Sequence, residues 1–462
     1  MFNPGQTMKS LKLLLRFLTV GGLVLLLLIP LTLIRGLIHE RQSYRAEAVR
    51  RVANNTAGPQ QFIGPLRVLP WTDTQIVTFT GEDEVIKQRV ERKNGYTLQM
   101  PTSLDIDGKL IPQRLRSGLY EVNVYEWHAK LKAVFDDKLP RVGAGVTRAY
   151  GTPYLVLGIS DVRGLVGTPS LRLDGQAQRL EAGTRDMKKL NGLHTMLPSI
   201  SGETVSGRQV EMDFVLKGTQ SLAVAPIGNS NKLALNSTWR HPSFDGYSPR
   251  SEISDSGFSA TWEVSSLTSN LQARMQGEQL DASLSDAAAS LYNDASDTAI
   301  SGVDSMKVSL IDRIDVYTQT DRASKYGILF VVLTFVGFAL FELIKRLPIH
   351  PLQYLLVGLA LAIFFLLLLS LSEHIEFVKA YLVSAAACIG LQFVYLSGVL
   401  KSWLRATGFA VMLTALYGVL YSLLISEDNA LLMGSLLLFG ILAAIMWITR
   451  KVDWYELGSS LR

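Results

Sequence analysis

The chain has 462 residues, of which 48% are hydrophobic and 18% are charged, and its formal net charge is +5. Its single cysteine, Cys388, excludes an intramolecular disulfide and with it the disulfide-stabilised class of small secreted proteins. Long apolar runs lie near both ends, which is typical of a membrane protein that carries a polar domain. Because Lys and Arg flank these runs, we attribute the basic balance to membrane topology and predict no nucleic-acid partner.

The first apolar run follows a basic N-terminus. Residues 1–16 are predicted to be cytoplasmic, and the run after them predicts a first transmembrane helix at 17–38. A cleaved signal peptide is the alternative, since Ala46-Glu-Ala48 has a small-x-small pattern. Several charges separate that pattern from the run, whereas cleavage sites follow the run directly. We therefore predict an uncleaved anchor, with a helical continuation at 41–53.

Segment 39–322 is predicted to be a mainly β, antiparallel domain exported from the cytoplasm. Residues 120–127 and 210–216 alternate apolar and polar side chains, which is the period of a strand with one exposed face. Many short strands with turns between them predict a sandwich or two subdomains. Further strands are predicted at 75–79, 96–100, 129–135, 154–159, 221–225, 232–235, 258–264 and 306–310.

Two turns and one helix are predicted within this domain. Asp107-Gly108 and Asp174-Gly175 are dipeptides typical of turns between strands. Segment 270–299 is rich in Ala, Ser, Asp and Leu and predicts a helix.

Segment 323–450 is predicted to be a membrane block of five helices, which gives six transmembrane helices in the chain. Each run can cross the roughly 30 Å hydrocarbon core, where a lipid-exposed backbone must form its hydrogen bonds within the segment. The five helices are predicted at about 326–344, 352–371, 377–400, 408–425 and 430–449.

The breaks between these helices alternate in charge. Short loops rich in Lys and Arg stay in the cytoplasm, so the breaks at Arg346, Arg405 and Arg450 are predicted to be cytoplasmic. The acidic breaks at Glu373 and Asp428 are then predicted to lie outside the cytoplasm. It follows that the β-rich segment is predicted to be exported and that both termini, including 451–462, are predicted to be cytoplasmic.

No catalytic, cofactor or metal site is predicted. His241-Pro-Ser-Phe-Asp245 holds a His, a Ser and an Asp, but no G-x-S-x-G elbow is present, so we interpret it as a structural loop. Glu373-His-Ile-Glu376 offers three possible metal ligands without an H-E-x-x-H pattern, and we interpret it as a solvated loop. The predicted membrane helices lack ionisable residues away from their ends, which argues against an ion-coupled transporter.

Several strings along the chain are similar to those of one bacterial family. They are Val24-Leu-Leu-Leu-Leu-Ile-Pro30, Ile34-Arg35, Gly64-Pro65, Trp239-Arg-His-Pro-Ser-Phe244, Ser256-Gly-Phe258 with Trp262, Thr320-Asp-Arg-Ala-Ser-Lys-Tyr326, His350-Pro-Leu-Gln-Tyr-Leu-Leu-Val-Gly358 and Ser372-Glu-His374. Together they resemble the CreD family of bacterial inner-membrane proteins over nearly the full length. One departure is Asp245-Gly-Tyr-Ser-Pro249, which is shorter than the corresponding Leu-Pro-ending loop of the family.

The resemblance implies the inner membrane of a Gram-negative bacterium, with the β-rich domain in the periplasm. It also implies a role in cell-envelope integrity, within a two-component regulon associated with envelope stress and β-lactam responses. The family brings no catalytic residues and no cofactor.

Two classes of function remain open. The first is a non-enzymatic envelope protein whose periplasmic domain binds a partner; the second is a transporter or membrane-embedded enzyme acting on a lipid or cell-wall precursor. The predicted partners are the lipid bilayer and a periplasmic protein, lipid or cell-wall component, and no oligomeric state is predicted. Packing is the competing interpretation for each aromatic residue among the binding candidates. The candidates are Trp239, His241, Phe244, Trp262, Arg322 and Lys325.

Overall fold

Two compact units make up the chain. A computed structural model describes residues 4–80, 86–143, 145–187, 190–200, 204–269, 271–272, 305–310, 316–345, 350–400, 402–425 and 430–450. The helical unit consists of Met1–Tyr44 and Ile314–Arg462, and the β-rich unit consists of Arg45–Arg313. Residues 273–299 of the helix predicted at 270–299, the breaks at Arg346 and Asp428, and residues 451–462 lie outside the described residues.

Six α-helices can be delimited in the described residues. They are α1 (Pro4–Asn55), α2 (Val316–Lys345), α3 (Pro351–Ser372), α4 (Phe377–Val399), α5 (Trp403–Ile425) and α6 (Ala430–Thr449). The start of α3 is fixed by a capping box, in which His350 Nδ1 accepts from the backbone N–H of Leu352 and Gln353 Oε1 accepts from that of His350. The length of α1 agrees with the helical continuation predicted at 41–53.

Five of these helices are long and apolar enough to cross a membrane, judged by length and composition among the described residues. The apolar stretches lie in α1 to α5, and the corresponding stretch of α6, Gly434–Ala443, is shorter. Exposed leucine and isoleucine side chains on α1, such as Leu25, Ile29 and Leu33, agree with contact to lipid. The prediction of apolar membrane helices beside a mainly antiparallel β-domain is confirmed.

One face of α1 packs within the helical unit. Its buried stripe, at helical spacing, consists of Leu27, Leu31, Ile34 and Ile38. A methyl group added to Gly327 in α2 would lie 3.2 Å from Leu31 Cδ2, and one added to Gly358 in α3 would overlap Leu27. These small residues therefore allow close approach of α1 to its neighbours.

The β-rich unit contains seventeen strands in its described residues. They are β1 (Gln60–Thr80), β2 (Ile86–Gln99), β3 (Ser103–Ser117), β4 (Tyr120–Val134), β5 (Val146–Tyr150), β6 (Tyr154–Ile159), β7 (Leu165–Leu173), β8 (Gln176–Gln178), β9 (Glu181–Ala182), β10 (Gly192–Met196), β11 (Gln209–Thr219), β12 (Ser221–Val224), β13 (Ser230–Ser237), β14 (Pro242–Gly246), β15 (Arg250–Ser254), β16 (Gly257–Ser265) and β17 (Met306–Leu310).

The strands form two sheets that share one core. Sheet A has the order β14-β17-β12-β1-β6-β10-β9, with β2 and β5 also paired to β1, and sheet B has the order β15-β16-β13-β3-β4-β11-β7-β8. Only β1 with β12 and β3 with β13 pair in parallel among the described strands. The ring of Phe62 on β1 lies 5.2 Å from that of Phe214 on β11 and 5.9 Å from that of Trp127 on β4, measured between centroids. The sheets therefore pack face to face as a sandwich.

The segments predicted as strands coincide, to within one residue at their ends, with parts of β1, β2, β4, β6, β11, β12, β13, β16 and β17. Two predictions were wrong. Asp107-Gly108 lies inside β3 and not in a turn, because the indole of Trp127 covers Gly108 and leaves no room for a Cβ. The segment 241–245, interpreted as a loop, contains most of β14. By contrast Asp174-Gly175 forms the predicted turn, with φ of 49° and 83°.

Arg67 on β1 is a fully buried cation in this core. Its guanidinium donates to Gln99 Oε1 (3.0 Å) and to the carbonyls of Asp136 (2.7 Å) and Gly207 (2.7 Å), and it lies 4.6 Å from the ring centroid of Phe135. Burial lowers the pKa of the guanidinium to about 10. Arg67 therefore ties three separate chain segments together through neutral acceptors.

Candidate functional site

The β-rich unit brings four of the six binding candidates to one end of the sandwich. Phe244 on β14 has its ring centroid 5.5 Å from that of Trp262 and 5.7 Å from that of Phe258, both on β16. Trp262 is 1% exposed, and its Nε1 donates to the carbonyl of Tyr247 at 2.6 Å. Phe244 and Trp262 thus join β14, the terminal strand of sheet A, to β16, the second strand of sheet B, through core contacts.

Trp239 positions the chain next to His241. The indole is half-buried against the core, and its Nε1 donates to the carbonyl of His241 at 2.9 Å. The guanidinium of Arg114 lies 5.6 Å from the Trp239 ring centroid. The side chain of His241 is exposed. Trp239 therefore holds the backbone before β14 while leaving the imidazole accessible.

An open groove lies beside these aromatic residues. It has a volume of about 770 Å³. We call it the edge groove, and its lining residues are Arg240, His241, Pro242, Ser243, Ile253, Ser254 and Asp255. One wall comes from the start of β14 and the other from the end of β15. These strands are consecutive in the chain but belong to different sheets.

Both walls of the edge groove are terminal strands. Among the described strands, β14 pairs only with β17 and β15 only with β16. All five residues of β15 are exposed. The outer backbone N–H and C=O groups of a terminal strand can pair with another extended segment. The edge groove therefore combines unpaired strand edges with an exposed apolar side chain, Ile253, which is 55% exposed.

Charged side chains mark the two ends of this groove. Arg240 contributes a cation and Asp255 an anion. Neither has an ion-pair partner within 4.0 Å among the residues that the structure describes. A partner with side chains of both signs would complement them, and that complementarity would fix its register.

The other two binding candidates lie in the helical unit, on the first turns of α2. Lys325 Nζ pairs with Asp321 Oδ2 at 2.7 Å, and Arg322 is half-buried. Sequence reasoning identified these cations but missed the residues that surround them. Arg35 on α1 donates from Nη2 to the carbonyl of Ser324 at 3.1 Å. The sequence did carry a signal for Arg35, because this charged residue follows Leu31 of the apolar stripe at helical spacing.

The loop between α3 and α4 lies at the same end of the helical unit as the start of α2. Glu373 is almost buried and accepts a hydrogen bond from Tyr317 (3.4 Å), with Arg41 Nε at 3.5 Å. His374 Nδ1 lies 3.1 Å from the carbonyl of Ser370, and Glu376 pairs with Lys379 at 2.9 Å. The three possible metal ligands of this loop therefore engage separate partners. Searched over the described part of the chain, no group of three or more such side chains could hold a metal ion.

Comparison with known proteins assigns the chain to a family. The family model described as inner membrane protein CreD matches residues 12–455. The chain belongs to the CreD family of inner membrane proteins. It is also 36% identical to the inner membrane protein CreD of Escherichia coli (strain K12) over 439 residues, which cover 94% of this chain and 92% of that protein. The resemblance seen in the sequence motifs is confirmed.

Membership of the CreD family agrees with the apolar helices of the structure. Inner membrane proteins of the α-helical class cross the bilayer with such segments, since each satisfies its own backbone hydrogen bonds. This CreD-family chain is therefore a multi-pass inner-membrane protein.

Proposed function

We propose that the protein is a non-enzymatic inner-membrane protein that supports cell-envelope integrity and the envelope-stress response, and that its β-rich unit binds an envelope partner at the edge groove. The observation that carries the proposal is the pair of unpaired strand edges, β14 and β15, that form the walls of this groove. A groove with such walls binds by adding a strand, which requires no catalytic group.

The chemistry of the edge groove favours an extended polypeptide segment as the partner. Main-chain hydrogen bonds to the free edge of β15 would supply affinity, and the exposed side chain of Ile253 would contact an apolar residue of the partner. Arg240 and Asp255 would pair with an acidic and a basic residue of the partner. Trp239 would act indirectly by holding the His241 backbone in place.

The proposal places the β-rich unit, predicted at 39–322, in the periplasm and both termini in the cytoplasm. The alternation of basic and acidic breaks along the membrane block supports this orientation. A strand-addition groove in the periplasm would meet the secreted and membrane-anchored proteins of the envelope.

Photocrosslinking in living cells tests the groove. A photoreactive amino acid at Ser243, inside the edge groove, is compared with one at Lys109, an exposed position on β3. We expect a discrete protein adduct from position 243 and none from position 109. The combined Arg240→Ala and Asp255→Ala substitutions should weaken that adduct at unchanged protein level.

Two results would oppose the proposal. Trapped phospholipid or cell-wall precursor at position 243 would favour the transporter or membrane-enzyme function instead. Equal labelling from positions 243 and 109 would exclude the groove as a binding site.

A complementation assay tests two of the candidate residues. The His241→Ala and Phe244→Ala proteins are expressed in a deletion strain, and normal accumulation with full envelope resistance would exclude a role for both residues.

A further inference from the structure

A two-stranded ribbon extends from sheet A beyond its other strands. β5 pairs with β1 only as far as Gln75, and from Ile76 to Thr80 β1 pairs only with β2 among the described strands. β2, which has 14 residues, pairs with no described strand other than β1. Its outer edge is therefore available to another strand. We call the part of this edge from Ile86 to Asn94 the ribbon edge.

Apolar side chains are exposed on one face of the ribbon. Val90 is 58% exposed and lies opposite Ile76, which is 62% exposed. Directly opposite residues on neighbouring strands share a face, so these two form an apolar pair in contact with solvent. Ile86 lies an even number of residues from Val90, and therefore on the same face, and is 72% exposed. An unpaired strand edge beside such side chains favours the addition of another strand.

The charges of the ribbon do not favour a partner of a single charge. Residues 82–93 contain equal numbers of acidic and basic residues. The acidic residues are Glu82, Asp83, Glu84 and Glu91, and the basic residues are Lys87, Arg89, Arg92 and Lys93. An anionic lipid surface or a nucleic acid would attract the second set and repel the first. A partner strand that carries both signs fits better, and the ribbon edge is itself such a strand.

Symmetry restricts how two ribbon edges can pair. Side chains alternate between the two faces of a strand, and residues that lie opposite each other share a face. A two-fold axis perpendicular to the sheet makes the two strands antiparallel and keeps Val90 and Ile76 of both copies on one face. Such a pairing must therefore be centred on a single residue, which lies opposite itself in the second copy.

Charge selects Val90 as the central residue. Between residues 89 and 93, every other centre would place a charged residue opposite its own copy, which is destabilising. A centre at Val90 instead places Arg89 opposite Glu91 twice. It also brings the two Val90 side chains together between the two Ile76 side chains, so that one apolar row crosses four strands. The same register sets position 87 opposite position 93, at the outer ends of the pairing, where solvent and salt screen like charges.

We infer that the protein forms a two-fold symmetric dimer in which the ribbon edges of two copies pair as antiparallel strands centred on Val90. Sheet A of one copy then continues into sheet A of the other. Both copies lie in the same bilayer, which raises their effective concentration and compensates for the short length of the pairing. The ribbon edge is separate from the edge groove, so the dimer does not depend on the function proposed for the groove.

Disulfide formation at Val90 tests the register. In a Cys388→Ser background, Val90→Cys is compared with Arg92→Cys in the full-length chain, reconstituted in a bilayer and mildly oxidised. Opposite residues of an antiparallel pair have Cα atoms about 4.5–5.5 Å apart, which allows a disulfide, whereas the two copies of position 92 would be about 13 Å apart along the strands. We expect a disulfide-linked dimer from Val90→Cys and almost none from Arg92→Cys, which is also exposed and on the same face.

A mixture of two charge variants tests the recognition between copies. Arg89→Glu places a glutamate opposite Glu91 twice, and Glu91→Arg places an arginine opposite Arg89 twice. Each variant alone should form about fivefold less of the Val90→Cys dimer, the effect of losing two exposed ion pairs. In a mixed dimer of the two variants both contacts join opposite charges, so the mixed dimer should recover to the level of the parent protein.

This recovery cannot come from within one chain. Arg89 Nη2 lies 3.1 Å from Glu91 Oε1 of the same strand, and each variant loses that ion pair whether or not it is mixed with the other. Different tags on the two variants distinguish mixed from like dimers by size. Both side chains are exposed, and each reduced variant is first melted to establish that its β-rich unit is folded.

The inference is overturned if Val90→Cys and Arg92→Cys give equal amounts of dimer. It is also overturned if the two folded charge variants, once mixed, form no more dimer than either forms alone. A protein that remains monomeric in the bilayer at every density tested would have the same consequence.

Discussion

Arg67 shows how one side chain can hold the β-rich core. Arg67→Met would leave the acceptors on Gln99, Asp136 and Gly207 without their donor. We expect the free energy of unfolding to fall by about 3 kcal/mol, since hydrogen bonds from a charged group contribute more than neutral ones. Urea unfolding of the detergent-solubilised chain, followed by tryptophan fluorescence, measures this loss.

The control for Arg67 is an exposed arginine in the same unit. Arg208→Met removes a side chain at the surface and should change the free energy of unfolding by less than about 0.5 kcal/mol. Arg67→Lys keeps the charge but lacks the planar fork that reaches several carbonyls, so it should resemble Arg67→Met. Wild-type stability for Arg67→Met would contradict this account.

For individual residues, the sequence indicated which residue types lie in a region but not which atoms they contact. The aromatic residues around 239–262 were recognised from their type, but the hydrogen bond from Trp239 to His241 was not. Arg35 and Ser324 are 289 positions apart, and no local pattern brings such residues together. Gly108 was predicted in a turn because the dipeptide is common there, whereas the deciding factor was the indole of Trp127.

Among the elements, α1 depends on glycines of its neighbours. Gly358→Val would place its Cβ against Leu27 and 2.9 Å from the Phe335 ring, so α1 should move away from α2 and α3. Disulfide formation between cysteines at Leu31 and Gly327, in a Cys388→Ser background, reports this contact. We expect the crosslink to be lost in Gly358→Val.

Gly390 on α4 supplies the matched comparison for Gly358. A Cβ added there meets nothing within 4 Å, so Gly390→Val should leave the Leu31–Gly327 crosslink intact. An unchanged crosslink in Gly358→Val would show that α1 does not rely on this close approach.

A second element, β5, is attached to β1 by an ion pair. Arg148 donates to both carboxylate oxygens of Asp73, at 2.6 and 2.7 Å, and lies 4.2 Å from the ring centroid of Trp71. The hydrogen bond from Arg148 lowers the pKa of Asp73 below its ordinary value of 3.8. The stabilisation is therefore complete above that value and is lost as the pH falls through the lowered pKa.

Hydrogen exchange of the peptide covering β5 tests this pH dependence. After correction for intrinsic rates, protection of Val146–Tyr150 should be constant from neutral pH down to about pH 4 and decrease below it. Asp73→Asn should show the lower protection already at neutral pH, and the exposed Asp107→Asn should not. Equal protection of β5 in the wild-type and Asp73→Asn proteins at neutral pH would rule out the ion pair as the attachment.

Several of the predicted strands are ones whose burial alternates. β11 and β13 alternate buried and less buried residues, which is the period that the sequence carries. β15 is exposed at all five positions and β14 has no fully buried residue, so neither carries that period. Neither wall of the edge groove was therefore predicted as a strand from periodicity.

For the whole molecule, the alternating loop charges predict the orientation in the membrane. Cysteines are placed at Lys109 in the β-rich unit and at His350 before α3, both exposed, in a Cys388→Ser background. A membrane-impermeant maleimide added to cells with a permeabilised outer membrane should label position 109. Position 350 should react only after the inner membrane is disrupted, and the reverse pattern would invert the topology.

The position of β17 has a consequence for the order of assembly. β17 is the last described strand before α2, yet it lies between β12 and β14 and is the only described strand that pairs with β14. Sheet A consequently stays incomplete during synthesis until Leu310 has been made, and such long-range pairing is slow. One wall of the edge groove therefore forms last, and a nascent chain that stops before Met306 cannot present it.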